Sequence, residues 1–179
     1  MAIKSTIFKA ELQITDMDRH YYHDHALTIA RHPSENDARM MLRILAFALH
    51  AHERLAFTKG LSSDDEPDLW QKNLSNEIEL WIDLGLPDEK RLRRACGRSD
   101  QVIIYTYNRT GAEAWWQKIQ GKVQRFANLK VFNIDDATVA ALAGFSQRSM
   151  QLQFTIADGT TLLTDGEQSL EIMPAITKS

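Results

Sequence analysis

The residues best equipped for chemistry in this 179-residue chain lie between Pro67 and Arg98, in PDLWQKNLSNEIELWIDLGLPDEKRLRRACGR. A Pro-Asp pair leads into a run carrying Glu77, Glu79 and Asp83, and five cations, Lys90, Arg91, Arg93, Arg94 and Arg98, follow at once. Acids at a strand end, facing cations on the next helix, are the parts of a metal-dependent site that cleaves phosphodiesters. The carboxylates hold a divalent ion, and the cations offset the charge that develops on the phosphate. Where such a site usually carries its lysine, this chain has Gly85.

Spacing restricts the metal. Alternation over 77–85 sets Ile78, Leu80, Ile82 and Leu84 on one face and Glu77, Glu79, Trp81, Asp83 and Gly85 on the other, a pattern that also describes a strand with one solvated face. Glu79 and Asp83 are four residues apart, roughly 13 Å at about 3.3 Å per residue. Mg2+ binds oxygens at about 2.0–2.1 Å, so one ion cannot bridge this pair. A metal at Asp83 needs its second acid from another element, and Asp68 and Glu35 are the candidates. On the basic helix, Leu92, Ala95 and Cys96 make the buried stripe. Lys90 and Arg94 point away from it, while Arg91 and Arg93 flank it and can lean over the sheet. Any surface helix shows cations opposite its stripe. An arginine steadies phosphate charge but stays protonated, which makes it a poor general base.

Other residues carry less chemistry. His23 and His25 share a strand face, yet no cysteine partner or HExxH pattern supports zinc. His50 and His52, two apart on a helix, do not face each other. Cys96, the only cysteine, has no catalytic context and excludes an internal disulfide. Trp115 and Trp116 read as mainly structural. Tyr105, Tyr107, Asn108 and Arg109 end an apolar strand, where ligands of open α/β sheets collect.

The elements that position these residues follow from periodicity. Residues 3–15 alternate as a half-buried strand, and Tyr21 to Ala30 returns to complete a hairpin. Ser34, with Asp37 three residues on, resembles a capping box opening a long helix, and its apolar positions from Met40 to Leu49 cover more than half the circumference. A polar acidic loop, Ser62 to Glu66, precedes strands at 69–73 and 77–84. A short basic helix starts at Leu86-Pro87-Asp88 and closes at Gly97. Strand 101–107, helix 112–121, strand 126–134 and helix 136–145 follow, then a hairpin of 149–157 and 160–164 across Asp158-Gly159 and a strand at 169–173. This order predicts a mixed α/β sheet in one domain spanning 1–179.

Composition sets the bounds. Apolar residues make up 44% and charged residues 25%, as in ordinary globular chains. The net charge of −3 gives no global attraction to nucleic acid, so polyanion binding needs a local patch. No apolar run approaches the roughly 20 residues that span a bilayer, so no membrane partner is expected. The N-terminal residues lack the apolar core of an export signal, and with one cysteine this predicts a cytoplasmic protein.

At RHPSE (31–35), FTKGLSSDDEP (57–67), LWIDLGLPDEKR (80–91), RRAC (93–96), YTYN (105–108), WW (115–116) and FANLKVF (126–132) the chain resembles the YaeQ family. That resemblance covers most of the chain and implies a variation on the PD-(D/E)XK nuclease fold. Its mixed central sheet would be flanked by helices, with the core at 34–134, an N-terminal β-hairpin at 1–30 and a C-terminal extension at 135–179. It implies metal-binding Asp68 and Asp83 with Mg2+ as the cofactor, and a supplementary helix acid at Glu35. It puts Gly85 in the lysine slot, and some nuclease families place that cation on the adjoining helix, here Lys90, Arg91, Arg93 or Arg94. The expectation is a Mg2+-dependent phosphodiesterase acting on nucleic acid, with Glu35, Asp68, Asp83 and Arg93 catalytic, Glu79 an alternative assisting acid, and Lys90, Arg91, Arg94, Tyr107 and Arg109 binding the nucleic acid. The alternative is a nuclease-fold protein without the lysine that binds nucleic acid or a protein and does not cut.

Overall fold

The computed structural model describes residues 4–59 and 65–179. Along the chain run β1 (Thr6–Asp16), β2 (Tyr21–Arg31), α1 (Asp37–Leu49), β3 (Leu55–Phe57), β4 (Leu69–Lys72), β5 (Ile78–Leu84) and α2 (Glu89–Arg98). Then come β6 (Ser99–Thr106), α3 (Arg109–Val123), β7 (Leu129–Asn133), α4 (Asp136–Ala143), β8 (Ser149–Ala157), β9 (Thr160–Thr164), β10 (Ser169–Ile172) and β11 (Ala175–Lys178). Of the acidic loop expected at Ser62 to Glu66, residues 62–64 lie outside the described residues, as does residue 3 of the first expected strand.

The expected single sheet is corrected to two, each the spine of one compact unit. The first unit holds residues 1–51 and 137–174. Its five strands run in the order β10-β9-β8-β1-β2. β1 and β2 pair antiparallel over eleven residues, and β8 pairs parallel to β1 from Lys9 opposite Ser149 to Asp16 opposite Ile156. The hairpin is therefore part of a larger sheet, because the alternating apolar positions of β1 and β8 bury together. Phe8, Ala10, Leu12 and Ile14 are buried, and so are Met150, Leu152, Phe154 and Ile156. Asp158 and Gly159 both take positive φ, 52° and 75°, as a two-residue type I′ hairpin requires. In α1, nine consecutive residues from Met40 to Ala48 are buried. Its cap is Asn36, not Ser34. The Asn36 side chain accepts from Arg39 N at 2.8 Å, while the Ser34 hydroxyl bonds His32 Nδ1.

The second unit holds residues 52–136 and 175–179. Its sheet order is β11-β7-β6-β5-β4-β3, with β5, β6 and β7 parallel and the outer strands antiparallel. Leu92, Ala95 and Cys96 of α2 and Ile119 and Val123 of α3 join Trp81, Val102, Ile104, Leu129 and Val131 in one buried cluster, with Trp115 and Trp116 packed against it. Both helices thus cover one sheet face. The three-residue β3 and the four-residue β11 went unpredicted, since strands that short show no usable alternation. Among the described residues no helix is long and apolar enough to cross a membrane.

Candidate functional site

The expected acid pair forms in the second unit. β4 runs antiparallel to β5 with Leu69 opposite Ile82, so Asp68 stands opposite Asp83. Both are buried. Like charges directly across a ladder repel, and each carboxylate here is held by donors. Asp68 Oδ2 accepts from Leu84 N at 2.8 Å. Asp83 Oδ2 accepts from Trp81 Nε1 at 3.0 Å and from Arg91 Nε at 2.8 Å, while its Oδ1 accepts from Arg91 Nη2 at 3.0 Å. Arg91 therefore grips Asp83 with both prongs of its planar fork, the strongest arrangement for this pair. The same Nη2 donates to Glu66 O at 2.8 Å, and Asp88 caps the helix by accepting from Arg91 N at 2.8 Å. The cap fixes Arg91 in the first turn of α2, from where it reaches back over the end of β5.

Gly85 follows β5 with φ +114°, a region that L residues enter at a cost. Its N–H donates to Tyr105 O at 2.9 Å, and a Cβ added there would meet nothing within 4 Å. The obstacle to a lysine in this slot is backbone strain, not space. Gly85→Lys is expected to destabilise the protein by about 1–3 kcal/mol and to leave it without phosphodiesterase activity. Urea unfolding and a cleavage assay check both halves.

A divalent ion does not fit the pair as it stands. Mg2+ needs oxygens around it at about 2.0–2.1 Å, and a guanidinium already sits across both oxygens of Asp83. Among the described residues no group of three or more His, Cys, Asp and Glu side chains is placed to hold a metal ion. Arg91 cannot replace a lysine that activates water, because it stays protonated.

Most of the other expected residues are held by partners of their own. Glu35 belongs to the first unit, where its carboxylate is bound by Arg39 at 2.9 Å and by Arg43 Nε at 3.0 Å. Arg93 is exposed and pairs with Glu89, so the helix cation that reaches the acids is Arg91. Glu79 is bound by Arg54, and that hydrogen bond, with a second from Gln71, holds its carboxyl below the usual range. Lys90 and Arg94 are exposed on α2, and Arg94 pairs with Asp65 at 3.4 Å. Tyr107 is half-buried and Arg109 exposed at the start of α3. Arg109 lines a cleft of about 410 Å3 with Thr106, Trp115, Trp116 and Asn133. That cleft sits beyond the C-terminal ends of the parallel β6 and β7, where α/β sheets take ligands. His25 bonds the Tyr21 hydroxyl at 2.6 Å, and burial, the larger cause, together with His23 lowers its pKa. Burial pushes the Cys96 thiol up to about 11, which leaves it inert at neutral pH.

Sequence reasoning missed Trp81, whose indole N–H completes the shell of Asp83. The signal was present in the i, i+2 spacing, which puts both side chains on one strand face.

Comparison with known proteins agrees with the family resemblance of the sequence. The family model for the YaeQ protein matches residues 1–174. The "Uncharacterized protein YaeQ" of Salmonella typhi is 50% identical over 172 residues, 96% of this chain and 95% of that protein, and its Escherichia coli (strain K12) counterpart is 49% identical over the same shares. The crystal structure of the YaeQ protein from Xanthomonas axonopodis pv. citri superposes with a TM-score of 0.94 at 44% identity, covering 98% of this chain and 99% of that one. The Pseudomonas syringae YaeQ structure gives 0.93 at 34% identity, covering 98% and 97%. With the match running through nearly every element of both units, the chain belongs to the YaeQ family.

Proposed function

We propose that this protein binds nucleic acid through the helical face of its second unit and does not cut it, as a catalytically silent variation on the PD-(D/E)XK fold. The observation that carries the reading is the two-pronged grip of Arg91 on Asp83, in place of a metal-ready acid pair with a nearby base. Support for the fold relationship is the run β4, β5, α2, β6, α3, β7, an antiparallel pair leading into parallel strands with helical crossovers. Support for a polyanionic partner is local charge. Between residues 89 and 125 nine Lys and Arg stand against three Asp and Glu, in a chain whose net charge is −3. Lys90, Arg93, Arg94, Arg98, Lys118, Lys122 and Arg125 are all exposed on α2, α3 and the residues just after α3.

Fluorescence anisotropy with labelled single-stranded, duplex and RNA oligonucleotides tests this reading. Binding should weaken linearly in log K against log salt, and Lys90→Glu with Arg94→Glu should lower affinity about tenfold and flatten the salt slope by about 1 for each phosphate no longer engaged. No binding to any strand at low salt would rule the reading out. The facing carboxylates of Asp68 and Asp83 favour one other reading, Mg2+-dependent phosphodiester hydrolysis. Cleavage of the same oligonucleotides in Mg2+ or Mn2+, abolished by Asp83→Ala, would establish that reading instead.

A further inference from the structure

Four strands end the two sheets. β3 has three residues, β10 has four, and β11 has four with its register broken between Ile176 and Lys178. Short and bulged edges are how soluble proteins stop sheets from growing. The fourth edge, β2, is different. It runs eleven residues in unbroken register with β1 and contains no proline, no lysine and no bulge.

The side of β2 that faces away from β1 can be read from two hydrogen bonds. Lys9 N donates to Arg148 O at 2.9 Å on the β8 side of β1. Odd residues of β1 therefore turn toward β8 and even ones toward β2, where their partners are Tyr21, His23, His25, Leu27 and Ile29. The N–H and C=O groups of Tyr22, Asp24, Ala26, Thr28 and Ala30 point outward. Arg43 confirms the parity by donating to Ala30 O at 3.1 Å. The other four residues are exposed, and their main-chain groups find no partner among the described residues.

We infer that β2 is a dimerisation edge that pairs antiparallel with β2 of a second copy about a twofold axis at Ala26, joining two five-stranded sheets into one of ten. Self-complementarity selects both the occupant and the register. Centred on Ala26, all eleven residues face one another, with the Ala30 carbonyl at the strand end already accepting from Arg43. Asp24 meets Thr28, Tyr22 meets Ala30, Arg31 meets the ring of Tyr21, His25 meets Leu27 and His23 meets Ile29, so no like charges oppose. Centring on Asp24 sets two carboxylates against each other, which is unfavourable. Centring on Thr28 leaves the four residues from Tyr21 to Asp24 without a facing residue in the second strand. A strand edge is a small interface, so the dimer belongs to the weaker, micromolar class.

Sedimentation of the full chain across concentration, combined with cysteine cross-linking, tests the inference. Facing residues of a hydrogen-bonded antiparallel pair lie about 5.5 Å apart at Cα, inside the span of a disulfide. Ala26→Cys is therefore expected to form a cross-linked dimer on oxidation, while Thr28→Cys, which faces Asp24, forms at most a tenth as much. Ala26→Pro removes an outward N–H and leaves the ladder to β1 intact, so it should weaken association at least tenfold with an unchanged far-UV spectrum. Should that variant misfold, Ala26→Lys sets two like charges at the axis and should dissociate the dimer equally. A wild-type chain still monomeric at about 100 μM, equal cross-linking at the two positions, or association that survives Ala26→Lys would each overturn the inference.

Discussion

Arg91→Ala is expected to destabilise the second unit by about 3 kcal/mol, the low end of the cost of removing one partner from a buried ion pair. The low end applies because Arg91 keeps about a quarter of its side chain in water, while that of Asp83 is 5% exposed, so water can take over part of the role of the guanidinium. What remains is a buried carboxylate directly across from Asp68, with Trp81 as its one side-chain donor. Two like charges on facing strand positions, one of them stripped of its counter-ion, account for the size of the effect. The readout is local, since the four tryptophans, Trp70, Trp81, Trp115 and Trp116, belong to this unit. Urea unfolding followed by tryptophan fluorescence should show the full loss in Arg91→Ala. The double variant Arg91→Met with Asp83→Leu should recover part of it, as apolar replacement of buried pairs commonly does. Arg91→Ala also uncovers both oxygens of Asp83. If the variant instead kept wild-type stability and was markedly stabilised by millimolar Mg2+, the acid pair would be a metal site with a removable lid, and the non-cutting reading would fall.

The parts of this architecture legible in the sequence are those decided locally. Strict alternation from Phe8 to Ile14 marks β1 and its buried face, the Asp158-Gly159 pair marks the β8–β9 hairpin, and strand spacing alone separates Glu79 from Asp83. Glu79 indeed bonds Arg54 and Gln71, and Asp83 bonds Arg91 and Trp81. Decisions that depend on distant residues were not legible. Whether 149–157 extends the N-terminal hairpin or joins the central sheet rests on a parallel pairing across about 140 residues, and no local pattern encodes such a partner. The choice of Arg91 over Lys90, Arg93 and Arg94 turns on where Asp88 caps the helix. One residue of difference in that cap rotates every side chain by about 100°. A slip of two residues separates Asn36 from Ser34 at α1, because both types cap equally well and the winner is set by where the buried run must begin.

Glu35→Ala should be the most destabilising single carboxylate change in the first unit, at about 3–5 kcal/mol. Glu35 lies eight residues before Arg43 and takes two of its donors, while Arg39 adds a third. All three side chains are largely buried. Arg43 is enclosed by α1, in a run where Met40, Ile44 and Phe47 are also buried, and it also donates to the carbonyl of Ala30. Without the carboxylate, a guanidinium with a fork of five N–H groups is left in apolar surroundings and short of acceptors. Glu35→Gln keeps the shape and one acceptor oxygen, so it should lose roughly half as much. The sign of the effect separates structure from chemistry. An acid that serves a metal site is held among like charges, and neutralising it commonly leaves stability unchanged or raised. Far-UV circular dichroism in urea measures the change. A Glu35→Ala variant as stable as the wild type would make this residue a candidate metal ligand again, whereas a large loss, with nucleic-acid affinity intact in the folded fraction, identifies it as the counter-ion that allows an arginine to sit in the middle of α1.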